Sequence, residues 1–259
     1  MNEQTRAEAR PTKKVHLSRW VSLDVPANLV RAEEEAARAA AAGADLCVFP
    51  ESFLHGYTRP FDPAEARALF ERASQAAPKT VFVFGSISEE RRNRTTVWRA
   101  GREIARYDKI HLFEPNGERR LWSPGNAPTA VDLGDWRIGL VNCNDLRFPE
   151  QARALALEAR VDALVVVAWW PWRRDHVFRT LLAARAMENG VFALGCCVAS
   201  SVWPAEPFAG AGNHVFDPLG EPVRTEDDSL YELDLARRGA LTVDTVADHV
   251  PLAPTVLFS

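Results

Sequence analysis

Short, unbroken apolar runs recur along this chain, at residues 46–49, 81–84, 163–168 and 192–199, with helical stretches between them. A strand wetted on one face alternates polar and apolar residues. A run that is apolar throughout must be covered on both faces. The order of strand and helix therefore predicts an α/β protein whose helices cover its sheets.

The punctuation between the runs supports this. Residues 28–42 (NLVRAEEEAARAAAA) predict a helix, Ala-rich with Glu early, and Leu29, Val30, Ala36 and Ala37 on its apolar side. Gly43 ends it and Pro50 stops the strand that follows. Pro63 opens a helix over residues 63–77, and further helices are expected over 149–159 and 175–189. Residues 15–23 (VHLSRWVSL) predict a first strand, and WRIGLVNC at 136–143 a later one. Strands at 95–98 and 103–107 flank a turn, residues 108–128 are irregular, and residues 213–235 suggest paired strands around Pro218-Leu219-Gly220. Residues 1–12 are expected to be a flexible tail. Residues 13–259 are expected to form a single domain, with 236–259 as an apolar packing tail ending in VPLAPTVLFS.

Composition narrows the functional classes. A length of 259 residues is near the upper limit for one core. A formal net charge of −4 gives no global electrostatic case for nucleic acid. No apolar run reaches the ~18–20 residues needed to span a bilayer. The start, MNEQTRAEARPTKK, lacks the apolar core of a secretory signal, so a cytoplasmic protein is expected. Cys47, Cys143, Cys196 and Cys197 form no C-x-x-C pair, which argues against structural zinc and for reduced thiols.

Three positions stand out chemically. Cys143 closes an apolar strand just before a helix, where a side chain meets ligands at a sheet's carboxyl edge and a helix N-terminus favours thiolate. It could equally be a small core residue, the reading adopted for the other three cysteines, which lie inside apolar strands. Glu51, in FPESF, sits just past a buried strand; partial burial would raise its pKa and suit it to proton transfer, although a capping role is also open. Lys109, in YDKIHLF, could offer fixed positive charge to an oxyanion or be a solvated surface residue.

FPESFLHGY, YDKIHLF and GLVNCNDLRFPE, in that order, resemble the three signature blocks of the nitrilase superfamily of carbon–nitrogen hydrolases. GADLCVFPE, AWWPWRRDHVFRTLLAARAMEN and DPLGEPV resemble the family's neighbouring segments, so the likeness spans residues 14 to 235. It implies a four-layer α-β-β-α sandwich and a homodimer or higher homo-oligomer paired through outer helices. It also implies a triad, here Glu51, Lys109 and Cys143, with Glu118 matching a second glutamate that orients the substrate amide or holds the lysine. In that scheme Glu51 is base and then acid, Cys143 forms a thioester, and Lys109 with the backbone N–H of Asn144 stabilises the oxyanion. No metal or organic cofactor is implied. A Cys-His mechanism would need a histidine such as His111 beside Cys143.

DLRFPE resembles the branch of omega-amidases and deaminated-glutathione amidases, whose substrates are small carboxamides. N-carbamoyl hydrolysis and nitrile hydrolysis are the alternatives on the same triad, and a non-catalytic scaffold is a third. Two departures mark the pocket. Asn144 stands where that branch usually has Tyr, and Trp169 where it usually has Asn. With Tyr57 and Trp172, Trp169 suggests an aromatic pocket, unless these rings pack into the core or an interface. Arg174 could bind a substrate carboxylate or pair with an acidic neighbour. Residues 203–207 (WPAEP) suggest a loop extension at the mouth.

Overall fold

The structure, a computed structural model, describes residues 11–204, 206–240, 243 and 245–250. The first half of the chain runs β1 (Thr12–Leu17), β2 (Val21–Ser22), α1 (Val25–Ala41), β3 (Leu46–Val48), α2 (Pro63–Ala76), β4 (Val81–Glu89), β5 (Arg92–Arg99) and β6 (Arg102–Asp108). A short α3 (Glu118–Leu121) leads to β7 (Thr129–Asp132), β8 (Arg137–Asn142), α4 (Pro149–Leu157), β9 (Ala163–Ala168) and α5 (Asp175–Asn189). Then come β10 (Phe192–Cys197), β11 (Ser200–Ser201), β12 (Phe208–Ala209), β13 (His214–Phe216), β14 (Pro222–Val223) and β15 (Leu230–Asp234).

One six-stranded sheet has the order β15-β1-β3-β4-β5-β6 and a second β14-β13-β10-β9-β8-β7; β12, β11 and β2 form a small third sheet. The apolar strands explain the layering. On β3, Leu46 and Val48 face the core between the large sheets, while Cys47 faces α1 and α2. On β9, Ala163, Val165 and Val167 enter that same core, while Leu164, Val166 and Ala168 pack under α4 and α5. Both faces of each strand are buried, so the runs never alternate. Burying each such Val or Leu contributes roughly 1.5–3 kcal/mol. The expected α-β-β-α sandwich is the observed architecture.

Several local expectations are corrected. Helix α1 starts at Val25 because the Asp24 carboxylate accepts the Ala27 N–H at 2.8 Å. Its buried face carries Asn28, Ala32, Glu35, Ala36 and Ala39, whereas Val30 is 59% exposed. The stretch expected as one strand over 15–23 breaks after Leu17, and Val21–Ser22 pairs instead with β11. β4 and β5 run longer than expected, joined by Glu90 and Arg91 at positive φ, the backbone twist of a tight hairpin. β13 and β14 pair around the Pro218-Leu219-Gly220 turn as expected, but β15 crosses to β1 in the other sheet.

Thr12, assigned to the flexible tail, already pairs with Asp234, and residues 1–10 lie outside the described residues. Part of the C-terminal segment packs on its own helices: the Thr245 hydroxyl donates to the Glu188 carbonyl at 2.7 Å. Residues 251–259 lie outside the described residues. No described helix is long and apolar enough to cross a membrane.

Candidate active site

Glu51 follows β3, Lys109 follows β6, Cys143 follows β8 and Trp169 follows β9. β3, β4 and β6 run in one direction, as do β8 and β9, so each sheet delivers two of these residues from its carboxyl edge. The turns that deliver them are tight. Ser52 and Cys143 both have φ of 50°, the left-handed region where a side chain costs about 1–3 kcal/mol and persists only when its surroundings hold it. Gly85 lets β4 pass beneath the Glu51 turn, since a Cβ there would lie 1.9 Å from the Pro50 carbonyl oxygen.

Glu51, Lys109 and Glu118 form a buried chain of charge. Lys109 Nζ donates to Glu51 Oε1 at 2.8 Å and to Glu118 Oε1 at 3.0 Å. Glu51 Oε1 also accepts from Asn93 Nδ2 at 3.0 Å, and its Oε2 accepts the Trp169 N–H at 3.0 Å. Glu118 Oε2 accepts the Phe113 N–H at 2.8 Å. Glu51 and Lys109 are 0% exposed, so Glu51 is wholly rather than partly buried and Lys109 is not a surface residue.

Charge and burial set the protonation states. Burial works against the Lys109 ammonium, but Glu51, Cys143 and Glu118 outweigh it and hold its pKa above the ordinary value. Burial pushes Glu118 up to about 7; Lys109 opposes the rise and Glu51 adds to it. Burial and then Glu51 raise the Cys143 thiol well above its usual pKa, with Lys109 pulling the other way. The expected thiolate is therefore corrected to a resting thiol. The helical turn nearest the sulfur is the 3-10 turn Cys143–Arg147, and its pull does not offset burial. Burial, Glu51 and Glu118 likewise keep the Tyr57 hydroxyl protonated.

The sulfur borders a cavity of about 760 Å³ that Tyr57, Glu118, Asn144, Trp169 and Arg174 also line. Glu51 and Lys109 do not line it, and Trp172, expected at the pocket, is 62% exposed outside it although Arg173 and Arg174 of the same 3-10 turn line it. Trp170, Phe113 and Phe208 supply the additional rings. Trp169 is both core and wall: it packs edge-on to Tyr57 at 5.7 Å and tilted to Phe208 at 5.3 Å. Asn144 Nδ2 donates to the His111 carbonyl at 3.0 Å, tying the Cys143 turn to the segment after Lys109.

Arg174 has no carboxylate partner among the described residues, against the expectation of an acidic neighbour; its guanidinium lies 5.7 Å from the Phe113 ring. Arg147, which sequence reasoning passed over, stacks 4.5 Å from the Trp170 ring, and burial and Arg174 both lower its pKa. His111 is committed elsewhere: its Nδ1 lies 2.9 Å from Asp145 Oδ1 and its ring stacks on Phe148 at 3.7 Å. That arrangement does not serve a Cys-His pair.

Asn93 and Asp145 are the other residues sequence reasoning missed. Asp145 accepts from the Tyr107 hydroxyl at 2.6 Å, the His111 N–H at 2.7 Å and the Asn142 N–H at 3.1 Å, bolting the two sheets together at the site. A usable signal was its position inside the nucleophile block. Asn93 gave only a polar residue in a strand. Among the described residues no group of three or more His, Cys, Asp or Glu is placed to hold a metal.

Known proteins share this frame. The omega-amidase YafV of Escherichia coli K12 is 31% identical over 217 residues, 80% of this chain and 81% of that protein. An (R)-stereoselective amidase of a Pseudomonas species is 32% identical over 206 residues, 74% of this chain and 73% of that one. Saccharomyces cerevisiae Nit3, a nitrilase-superfamily member, shares the fold with a TM-score of 0.79 at 24% identity, covering 92% of this chain and 97% of that chain. The family model for carbon-nitrogen hydrolases matches residues 14–217, a span that takes in Glu51, Lys109, Glu118 and Cys143, and this chain belongs to that family.

Proposed function

We propose that the protein hydrolyses a small carboxamide to the carboxylic acid and ammonia. One observation carries the reading: the Cys143 sulfur borders the cavity while a buried acid–ammonium–acid cluster stands behind it. The resting thiol needs a base, and Glu51 is the group assigned to it. As Glu51 takes the proton, sulfur attacks the amide carbon. Lys109 and the Asn144 N–H hold the oxyanion; one such donor typically contributes about 3–4 kcal/mol to lowering the barrier. The C–N bond breaks, Glu51 returns its proton to nitrogen, and ammonia leaves a thioester. Glu51 then takes a proton from water, hydroxide adds to the acyl carbon, the C–S bond breaks, and sulfur regains a proton. Glu118 keeps Lys109 aimed throughout.

The cavity also favours a kind of substrate. Trp169 and Phe208 offer an apolar wall to an acyl chain, and Arg174 and Arg147 lack carboxylate partners among the described residues. An amide bearing a second, carboxylate end would be held there. Relatives named as an omega-amidase and as a 2-oxoglutaramate amidase support this choice.

The test is ammonia release from a panel of aliphatic, omega-dicarboxylic and aromatic amides, with acyl adducts on Cys143 sought by mass spectrometry. Carbon dioxide alongside ammonia would indicate N-carbamoyl hydrolysis instead. Neither product nor adduct across the panel would leave a scaffold role.

A further inference from the structure

Between β11 and β12 the described residues 202–204 and 206–207 form a strap along one side of the cavity, which Glu206 and Pro207 line together with Phe208 of β12. Among the described residues the strap's own bonds are Trp203 N–H to Ser201 Oγ at 3.3 Å and Glu206 N–H to the Trp203 carbonyl at 2.9 Å, and its Val202 N–H donates to the Ser22 carbonyl at 3.1 Å. What fixes it lies 147 residues or more back in the chain. Glu206 Oε1 accepts the Tyr57 N–H at 2.9 Å, and Oε2 accepts from Arg59 Nη2 at 3.1 Å. Arg59 is itself buried, donates to Ser22 Oγ at 2.8 Å and to the Leu23 carbonyl, and stacks 5.5 Å from the Trp203 ring.

The segment that receives the carboxylate is shaped for it. Gly56 has φ of 60°, and a Cβ there would lie 2.0 Å from Glu206 Oε2. Glycine thus serves two needs at once, the turn and the seat for a carboxylate. The same turn carries Tyr57, whose ring meets Trp169 edge-on, while Phe208, at the start of β12 where the strap ends, packs tilted on the same ring. One carboxylate therefore joins the two segments whose rings contact Trp169.

We propose that Glu206 is a specificity-setting positioning residue: it latches the strap onto the Gly56-Tyr57 turn and so holds the Tyr57–Trp169–Phe208 wall as a slot for flat apolar groups. With the latch gone, Tyr57 N–H and the buried Arg59 each lose an acceptor, and the Tyr57 and Phe208 rings lose their common anchor beside Trp169, although β12 still pairs Phe208 with Ser201. Recognition of an aromatic acyl group should then suffer more than that of a small one.

The activity arm rests on the amidase reading above, so the first measurement does not use it. Cys143 is alkylated with iodoacetamide and with iodoacetanilide, which share the same reactive CH2–I carbon, the second carrying a phenyl ring on its amide nitrogen, and the site is confirmed by mass spectrometry. Wild type should favour the phenyl reagent, and Glu206→Ala should cut that preference about tenfold, the scale of one apolar contact set. Glu206→Gln, which keeps the shape but not the charge facing Arg59, should fall between and serves if the alanine variant does not fold. In the second measurement, kcat/KM for 3-phenylpropionamide should drop about tenfold more than for propionamide, the difference residing in KM, with Glu206→Asp recovering part of it. An unchanged reagent preference, or equal losses on both amides in step with a lowered Tm, overturns the latch. Hydrolysis of neither amide by wild type would count against the amidase reading while the alkylation result still decides the latch.

Discussion

The two ends of the cavity treat charge in opposite ways. Behind the sulfur, Glu51, Lys109 and Glu118 are buried and their charged atoms are partnered. At the mouth, Arg147, Arg173 and Arg174 line the same space without a carboxylate partner among the described residues. An ion survives burial only when its neighbours replace the water it lost. A half-wet arginine needs no such help. Charge that is closed within the protein is thus set before a ligand arrives and suits chemistry; charge left open is available for a ligand to close.

This contrast can be broken from the inner end first. Cys143→Ala should lower ammonia release about 10⁴-fold or more, because the covalent route is gone, yet leave urea-unfolding stability nearly unchanged. Lys109→Met should fail in both respects. It should lose about 10²–10³-fold in kcat, as removal of an oxyanion donor does. It should also lose about 3–5 kcal/mol of stability, because two buried carboxylates lose their shared cation. If Lys109→Met unfolds no more easily than wild type, the cluster is not the closed system described here. At the outer end, Arg174→Gln should leave stability alone and raise KM about 10- to 100-fold for monoamides of dicarboxylic acids, while neutral amides feel little. Equal losses on charged and neutral amides would erase the distinction between the two ends.

The inner end was also the part most open to reading from sequence. Glu51 and Cys143 lie one or a few residues past apolar strands, so the strand pattern itself pointed to the sheet edge. Lys109 stood out only as a lysine in an apolar-flanked stretch, with a surface position also open, and Glu118 emerged only through the family likeness. The outer end was harder, because its geometry comes from turns and from residues far apart in the chain. Trp170 and Trp172 both follow a buried strand closely, and nothing in that pattern tells that Trp170 lines the cavity while Trp172 stands exposed. The small sheet of β2, β11 and β12 has two-residue strands, too short to show any periodicity. Asp145 joins Tyr107 and His111, residues over thirty positions away, and a contact of that kind leaves no local pattern. Val30 was misplaced for a different reason. In an Ala-rich helix the apolar face is poorly marked, and polar Asn28 and Glu35 took the buried side through specific hydrogen bonds.

The smallest expected effect concerns how tightly the inner cluster is closed. Glu118 is pushed up to about 7 in the folded chain from an ordinary 4.5. The folded state therefore holds that proton more firmly than the unfolded state does. Its contribution to stability is complete below about pH 4.5 and is lost as pH rises through about 7. Glu118→Gln cannot ionise and lacks this dependence. Urea unfolding of both proteins at pH 5 and pH 8 should show the difference in stability moving toward the variant at the higher pH. The Lys109 ammonium sets the size of that movement, since a full share of its charge would let Glu118 ionise as easily as in water. Differences that match at the two pH values would mean that Lys109 and the Phe113 N–H fully offset the burial of the Glu118 carboxylate. The asymmetry between Glu51, with three hydrogen-bond donors, and Glu118, with two, would then carry no energetic weight.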